Sequence, residues 1–175
     1  MNWRPVYLIL YLTLWGGILF SLADCSADAL DEQFMGLTRA SAIVEQNVKG
    51  QILHGEMDTE QDILCYRFDI AKTGVLFRVW VDAQSGRIVK SRKPWLTNLW
   101  DDIFGLEKMN LGSKTLPVSI ILKKLESDTG GRAELVKVKS TDGPITYEVE
   151  LATSAGPATV VLDALTGRRT PREAN

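Results

Sequence analysis

The side chains with chemistry to offer are few. Among 175 residues there is one histidine, His54, and there are two cysteines, Cys25 and Cys65. A zinc ribbon, a haem ligand pair or a disulfide framework needs more of these residues at short fixed spacings, so those classes are excluded. His54 has only Glu56 within ligand spacing, which points to a solvated or hydrogen-bonded imidazole. Ser-His-Asp catalysis would have to recruit the same histidine, and no Gly-x-Ser-x-Gly elbow accompanies it. Asp101 and Asp102 are adjacent, so on a helix they point about 100° apart and read as a solvated face, not as an acid/base pair. Gly130-Gly131 lacks the rest of a phosphate loop and reads as a helix ending. No catalytic residue, metal ligand or cofactor is expected.

Charge narrows the partners. Twenty basic residues against 22 acidic ones leave a net charge of −2, with no basic excess to neutralise phosphates, so nucleic acid is a poor partner. With 45% apolar and 24% charged residues the chain can bury a core.

Residues 5–23 carry no charge and are rich in Leu, Ile, Tyr and Trp. As a helix they would span roughly 28 Å, close to the thickness of a bilayer core. Arg4 precedes them, and Asp24, Asp28, Asp31 and Glu32 follow, so the positive-inside bias leaves the amino terminus in the cytoplasm and exports the remainder. The segment is a transmembrane anchor or a signal peptide. Ser21-Leu22-Ala23 and Ala27-Asp28-Ala29 both offer small residues to a signal peptidase, while the apolar run is longer than a usual signal core. Leu22-Ala23-Asp24-Cys25 departs from a lipoprotein signal at Asp24, which is not small. Cleavage after Ala29 would remove Cys25, and no structural disulfide to Cys65 is expected.

Beyond this segment the chain matches itself at an offset of 81 residues. Val79, Val81, Asp82, Ala83, Ser85, Gly86 and Arg87 fall on Val160, Leu162, Asp163, Ala164, Thr166, Gly167 and Arg168. Tyr66, Phe68, Ile70 and Ala71 fall on Tyr147, Val149, Leu151 and Ala152. Each unit opens on a helical stripe. Ala40, Ile43, Val44 and Val48 form the first, with Thr38 as expected cap and Gly50 as its end. Val118, Ile121, Leu122 and Leu125 form the second, with Thr115 as cap, Pro117 in the first turn and Gly130-Gly131 as its end. Three strands follow each helix, over 52–58, 63–71 and 75–83, then 133–139, 145–152 and 157–164. Alternation turns Tyr66, Phe68, Ile70, Phe77, Val79 and Val81 inward and Cys65, Arg67, Asp69, Arg78 and Trp80 outward. In the second unit Tyr147, Val149, Leu151, Ala158, Val160 and Leu162 point inward, and Thr146, Glu148, Glu150 and Val161 outward. Asp82 and Asp163 open tight turns in which Gly86 and Gly167 take positive φ.

A helix, a Tyr-x-φ-x-φ strand and an ending of Asp-Ala-x-(Ser/Thr)-Gly-Arg resemble the PepSY domain, here twice, over roughly 38–90 and 115–170. The fold expected is α+β: two small αβββ repeats, each one helix on an antiparallel sheet of three or more strands, after one N-terminal transmembrane helix. The divisions are 5–23, 36–90, a linker helix over 91–114, and 115–170. The resemblance implies a non-enzymatic binding or regulatory module, since similar segments occur in propeptides of secreted metallopeptidases, where they are associated with inhibition or chaperoning. It carries over no catalytic residue. The expected partner is another exported or membrane protein, met at the outer face of a bacterial inner membrane or, after cleavage, in the periplasm. A second reading makes the chain an accessory subunit of a membrane complex, with Gly16-Gly17 allowing close helix approach.

Two features offer themselves as partner contacts. Trp95, Leu96, Leu99, Trp100, Ile103 and Phe104 recur at helical spacing, so Trp95, Leu99, Trp100 and Phe104 either cement the two units together or form a docking patch. Trp80 lies on the face away from its own helix. Either the sheets of the two units meet there, with Val161 opposite, or a partner covers it.

Overall fold

The structure, a computed structural model, describes residues 34–72, 75–93, 115–139 and 144–170. Helix α1, Leu37–Val48, buries Ala40 and Val44 of the expected stripe together with Leu37 and Ser41, while Ile43 and Val48 are only partly buried against the core. Strands β1 Gln51–Glu60, β2 Ile63–Lys72, β3 Val75–Asp82 and β4 Ile88–Arg92 follow. Helix α2, Val118–Thr129, buries Val118, Ile121, Leu122 and Leu125, and β5 Arg132–Lys139, β6 Thr146–Thr153 and β7 Gly156–Asp163 complete the order. Among the described residues no helix is long and apolar enough to cross a membrane. The segment 5–23, Cys25 and the linker residues Trp95, Leu99, Trp100 and Phe104 lie outside the described residues.

The local expectations fail in an instructive way at the helix starts. Neither Thr38 nor Thr115 caps its helix: the caps are Gly36 and Pro117, with no side-chain cap bond from either. Their carbonyls accept the first-turn N–H groups of Arg39 and Ala40, and of Ile120 and Ile121. The orphan donors of α2 are met from another element. Glu45 of α1 accepts the Val118 N–H at 2.6 Å and takes the Ser119 hydroxyl on its second oxygen. A carboxylate on a helix N-terminus satisfies both the donors and the dipole. At the other end of α1 the left-handed residue is Lys49 (φ 49), one before the expected Gly50.

All the strands lie in one antiparallel sheet ordered β4-β3-β2-β1-β5-β6-β7. This replaces the expectation that two separate sheets meet through Trp80 and Val161. The halves join edge to edge where β1 pairs with β5, His54 opposite Lys137, Gly55 opposite Val136 and Glu56 opposite Leu135. That pairing satisfies the middle of two strand edges that separate sheets would leave open throughout. Both helices contribute to a single apolar cluster with Ile52, Tyr66, Phe68, Ile70, Val79, Val136, Tyr147, Val149 and Leu151, so the two halves share one core. Sharing matters because units of about 55 residues bury too little surface to be robust alone.

β4 was not among the expected strands: Ile88 and Val89 are exposed and its residues show no clean alternation. It also moves Ser91 and Arg92 out of the expected linker. The turns behave as read. The Asp82 carboxylate accepts the N–H groups of Gln84 and Ser85 and the Ser85 hydroxyl, and Asp163 accepts the same set from Leu165 and Thr166. Gly86 and Gly167 sit at φ 72 and 65, where a side chain would be strained. These bonds hold both carboxylates below the usual range, Ser85 acting first on Asp82 and Thr166 first on Asp163.

Candidate binding face

Because both helices cover one side of the sheet, the opposite side is left open among the described residues. Two rows of side chains cross it in register. The first runs Arg92, Arg78, Asp69, His54, Lys137, Glu148 and Val161 from β4 to β7. The second runs Lys90, Trp80, Arg67, Glu56, Leu135, Glu150 and Thr159 over the same strands. Period-two alternation fixes this face, since the neighbours of Tyr66, Phe68 and Ile70 must point away from the core.

Opposite charges sit beside one another along the rows. Arg78 grips Asp69 with both nitrogens, Nε at 2.7 Å and Nη2 at 3.0 Å. Asp69 is 3% exposed, so the carboxylate is out of water while Arg78 stays partly exposed. Burial alone would raise its pKa, but the neighbouring His54 and the bonds from Arg78 outweigh that and hold it below the usual carboxylate range. His54 stands between two carboxylates, Nε2 at 3.7 Å from Glu56 and Nδ1 at 3.9 Å from Asp69. Arg67 bonds Glu56 and lies 3.5 Å from Asp58, and Lys137 meets Glu148 at 2.6 Å. His54 thus lies in the charge ladder at ion-pair distance from both carboxylates and beyond hydrogen-bond reach of either. Among the described residues no group of three or more His, Cys, Asp or Glu is arranged to hold a metal.

Trp80 lies on this face as alternation requires, yet it is 2% exposed. Lys90 and Arg92 of the neighbouring strand lie over its ring at 5.1 and 5.0 Å from the centroid, a cation–π cover. A molecule approaching Trp80 meets these cations first. Cys65 is a buried free thiol on the same face, its pKa pushed up by burial and then by Asp82.

Sequence reasoning could not find the junction between β1 and β5, because it is a contact between residues distant in the chain. Only three residue pairs hold it, and the strands part at both ends. At the Gln51 end a groove of about 310 Å³ is lined by Gln51, Ile52, Pro117 and Tyr147, and its only carboxylate among the described residues, Glu45, is already bonded to α2. Gln51 there donates to the Tyr147 hydroxyl at 2.9 Å. At the Met57 end a wider groove of about 540 Å³ is lined by Phe34, Met57, Leu64, Tyr66, Arg132 and Leu135, with Glu56, Glu134 and Glu150 around them. The Tyr66 hydroxyl donates to the Met35 carbonyl at 2.6 Å.

No curated protein matches the chain. In shape it is similar to a candidate lipoprotein from Clostridium difficile 630, at 12% identity and a TM-score of 0.45, over 81% of this chain and 95% of that one. It is also similar to the YpmB protein from Bacillus subtilis, at 14% identity and a TM-score of 0.33, over 76% and 92% of the two chains. At the level of sequence families, residues 35–92, which hold α1 and β1 to β4, match PepSY, the peptidase propeptide and YPEB domain.

Proposed function

We propose that the chain is a non-enzymatic, exported binding module of PepSY type that holds or restrains another exported protein, a peptidase being the foremost candidate. The observation that carries this reading is the PepSY match over 35–92, a domain described by its occurrence in peptidase propeptides. The open face fits it: Arg78 with Asp69, Arg67 with Glu56 and Lys137 with Glu148 pair there in a ladder suited to recognising shape and charge.

Residues 115–170 are read as a second unit of the same kind. In support, α1 and α2 begin and end 81 residues apart, as do β3 and β7, and both strand pairs β1–β2 and β5–β6 carry an irregularity at positions with that same offset. The Met35 N–H bonds the Ala83 carbonyl just as the Leu116 N–H bonds that of Ala164, each at 2.9 Å. Location outside the cytoplasm rests on the charge-free residues 5–23 with Arg4 before and four carboxylates after, whether retained as an anchor or cleaved. Trp95, Leu99, Trp100 and Phe104 remain a proposed contact element, as does Trp80 beneath its cations.

The test is to add the purified full chain, in mild detergent, to the exported peptidases of its host. Slowed turnover with co-purification of one of them is expected. Unchanged turnover of every exported peptidase, with none retained, overturns the peptidase reading.

A further inference from the structure

We propose that the Met57 end of the β1–β5 junction is a peptide site that takes an extended segment carrying alternate basic and apolar side chains. The proposal deepens the binding-module reading above, on which it rests, by naming the part of a partner that would be held.

The backbone supplies the first reason. β1 is paired with β2 as far as Glu60, but its pairing with β5 stops at Glu56. Met57 to Glu60 therefore present one strand edge without a partner strand among the described residues, the feature to which an added strand bonds, with the Thr59 N–H there held by the Asp58 carboxylate at 2.8 Å. Side chains supply the second. Phe34, Met57 and Leu64, on the helix side of the sheet, give the groove an apolar floor, and Met57 is 43% exposed although it pairs with the core residue Tyr66. Strand alternation would place every second side chain of an added segment on this floor.

Charge selects the occupant. Glu134 and Glu150 are exposed at the groove and have no ion pair among the described residues, while Glu56 is held by Arg67, and Arg132, which donates to the Tyr66 hydroxyl at 3.5 Å, is the one cation among the described lining residues. The negative field reaches inward: the Tyr66 phenol is pushed up to about 12 by burial, then by Glu126 and Glu134. The chain's own residues 24–32 lead toward Phe34, yet they carry Asp24, Asp28, Asp31 and Glu32 and no Lys or Arg. That segment has the same sign as the groove, so the fitting occupant is a basic segment of another protein. The groove at the Gln51 end offers no such charge, its single carboxylate among the described residues being spent on α2.

The experiment measures fluorescence anisotropy of a labelled octapeptide of alternating Val and Lys, and of its Val and Glu counterpart, with the full chain in mild detergent. The Lys peptide is expected to bind at least about tenfold tighter and to weaken with added salt. Glu134→Gln with Glu150→Gln should weaken it about tenfold with unchanged thermal unfolding, since both residues are exposed. Met57→Lys should do the same by placing a cation at the groove. Equal binding of the two peptides, or a double variant within twofold of the parent, overturns the proposal. Restraint of an exported peptidase without peptide discrimination rejects the groove and leaves the module reading standing. Peptide discrimination without any exported partner does the reverse.

Discussion

Replacing Glu45 by Ala should destabilise the molecule through a helix to which it does not belong. The carboxylate accepts the Val118 N–H at 2.6 Å and the Ser119 hydroxyl, so its loss uncaps α2. A lost cap costs about 1–2 kcal/mol, and the lost negative charge beside the helix N-terminus adds about 0.3–1 kcal/mol. The expected total for Glu45→Ala is about 1.3–3 kcal/mol. Glu45→Gln keeps an acceptor and loses only the charge, so about 0.3–1 kcal/mol is expected. Ser119→Ala should cost less in the Glu45→Ala background than alone, because the two share one bond, with a coupling of about 0.5–1 kcal/mol. Equilibrium urea unfolding of the full chain, followed by tryptophan fluorescence, measures all four. One transition is expected throughout, since α1 and α2 pack into the same apolar cluster. A cost below about 0.5 kcal/mol for Glu45→Ala, strict additivity with Ser119→Ala, or two separate transitions would refute the account of how the halves are joined.

Two further outcomes follow from the buried ionisable groups. Arg78→Met leaves Asp69 buried without its partner and should cost about 3–5 kcal/mol, most of it recovered in the Asp69→Asn, Arg78→Met double variant; urea midpoints read both. Because the folded pKa of Asp69 lies below that of an unfolded carboxylate, about 4, its contribution is present above that pH and fades as pH falls through the folded value, a slope that the double variant lacks. Tyr66 and Tyr147, both pushed up to about 12 chiefly by burial, work in the opposite direction. Their contribution is intact below about pH 10, where an unfolded tyrosine ionises, and is lost as pH rises toward 12. Phenolate absorbance and unfolding midpoints over that window should both flatten when the two are replaced by Phe.

The parts of this architecture that depend on neighbours in sequence were legible in it. Tyr66, Phe68 and Ile70 alternate with Arg67 and Asp69, and the sheet faces followed directly. Asp82 and Asp163 each bond backbone N–H groups two and three residues on, so their turns could be read from short strings. What escaped depends on distant residues. A cap supplied to Val118 by Glu45 leaves no local pattern, and the local patterns at Thr38 and Thr115 pointed to the wrong residues. β4 is an edge strand with both Ile88 and Val89 exposed, so burial imposes no period on it. The joining of β1 to β5 was likewise hidden, because either strand could have been a free edge. From that one contact follow the single core, the open face over which Trp80 lies under Lys90 and Arg92, and the groove at Met57.

The claim at the centre of this account is that the chain acts by holding a partner and not by changing it. A titration of the purified full chain against an exported peptidase that it retains, read by residual peptidase turnover together with the intact mass of the peptidase, tests this most directly. The account predicts an effect that grows in proportion to added chain, saturates at a fixed stoichiometry and leaves the peptidase mass unaltered. Loss of turnover driven by far less chain than peptidase, accompanied by a change in peptidase mass, would make the chain a catalyst and contradict it.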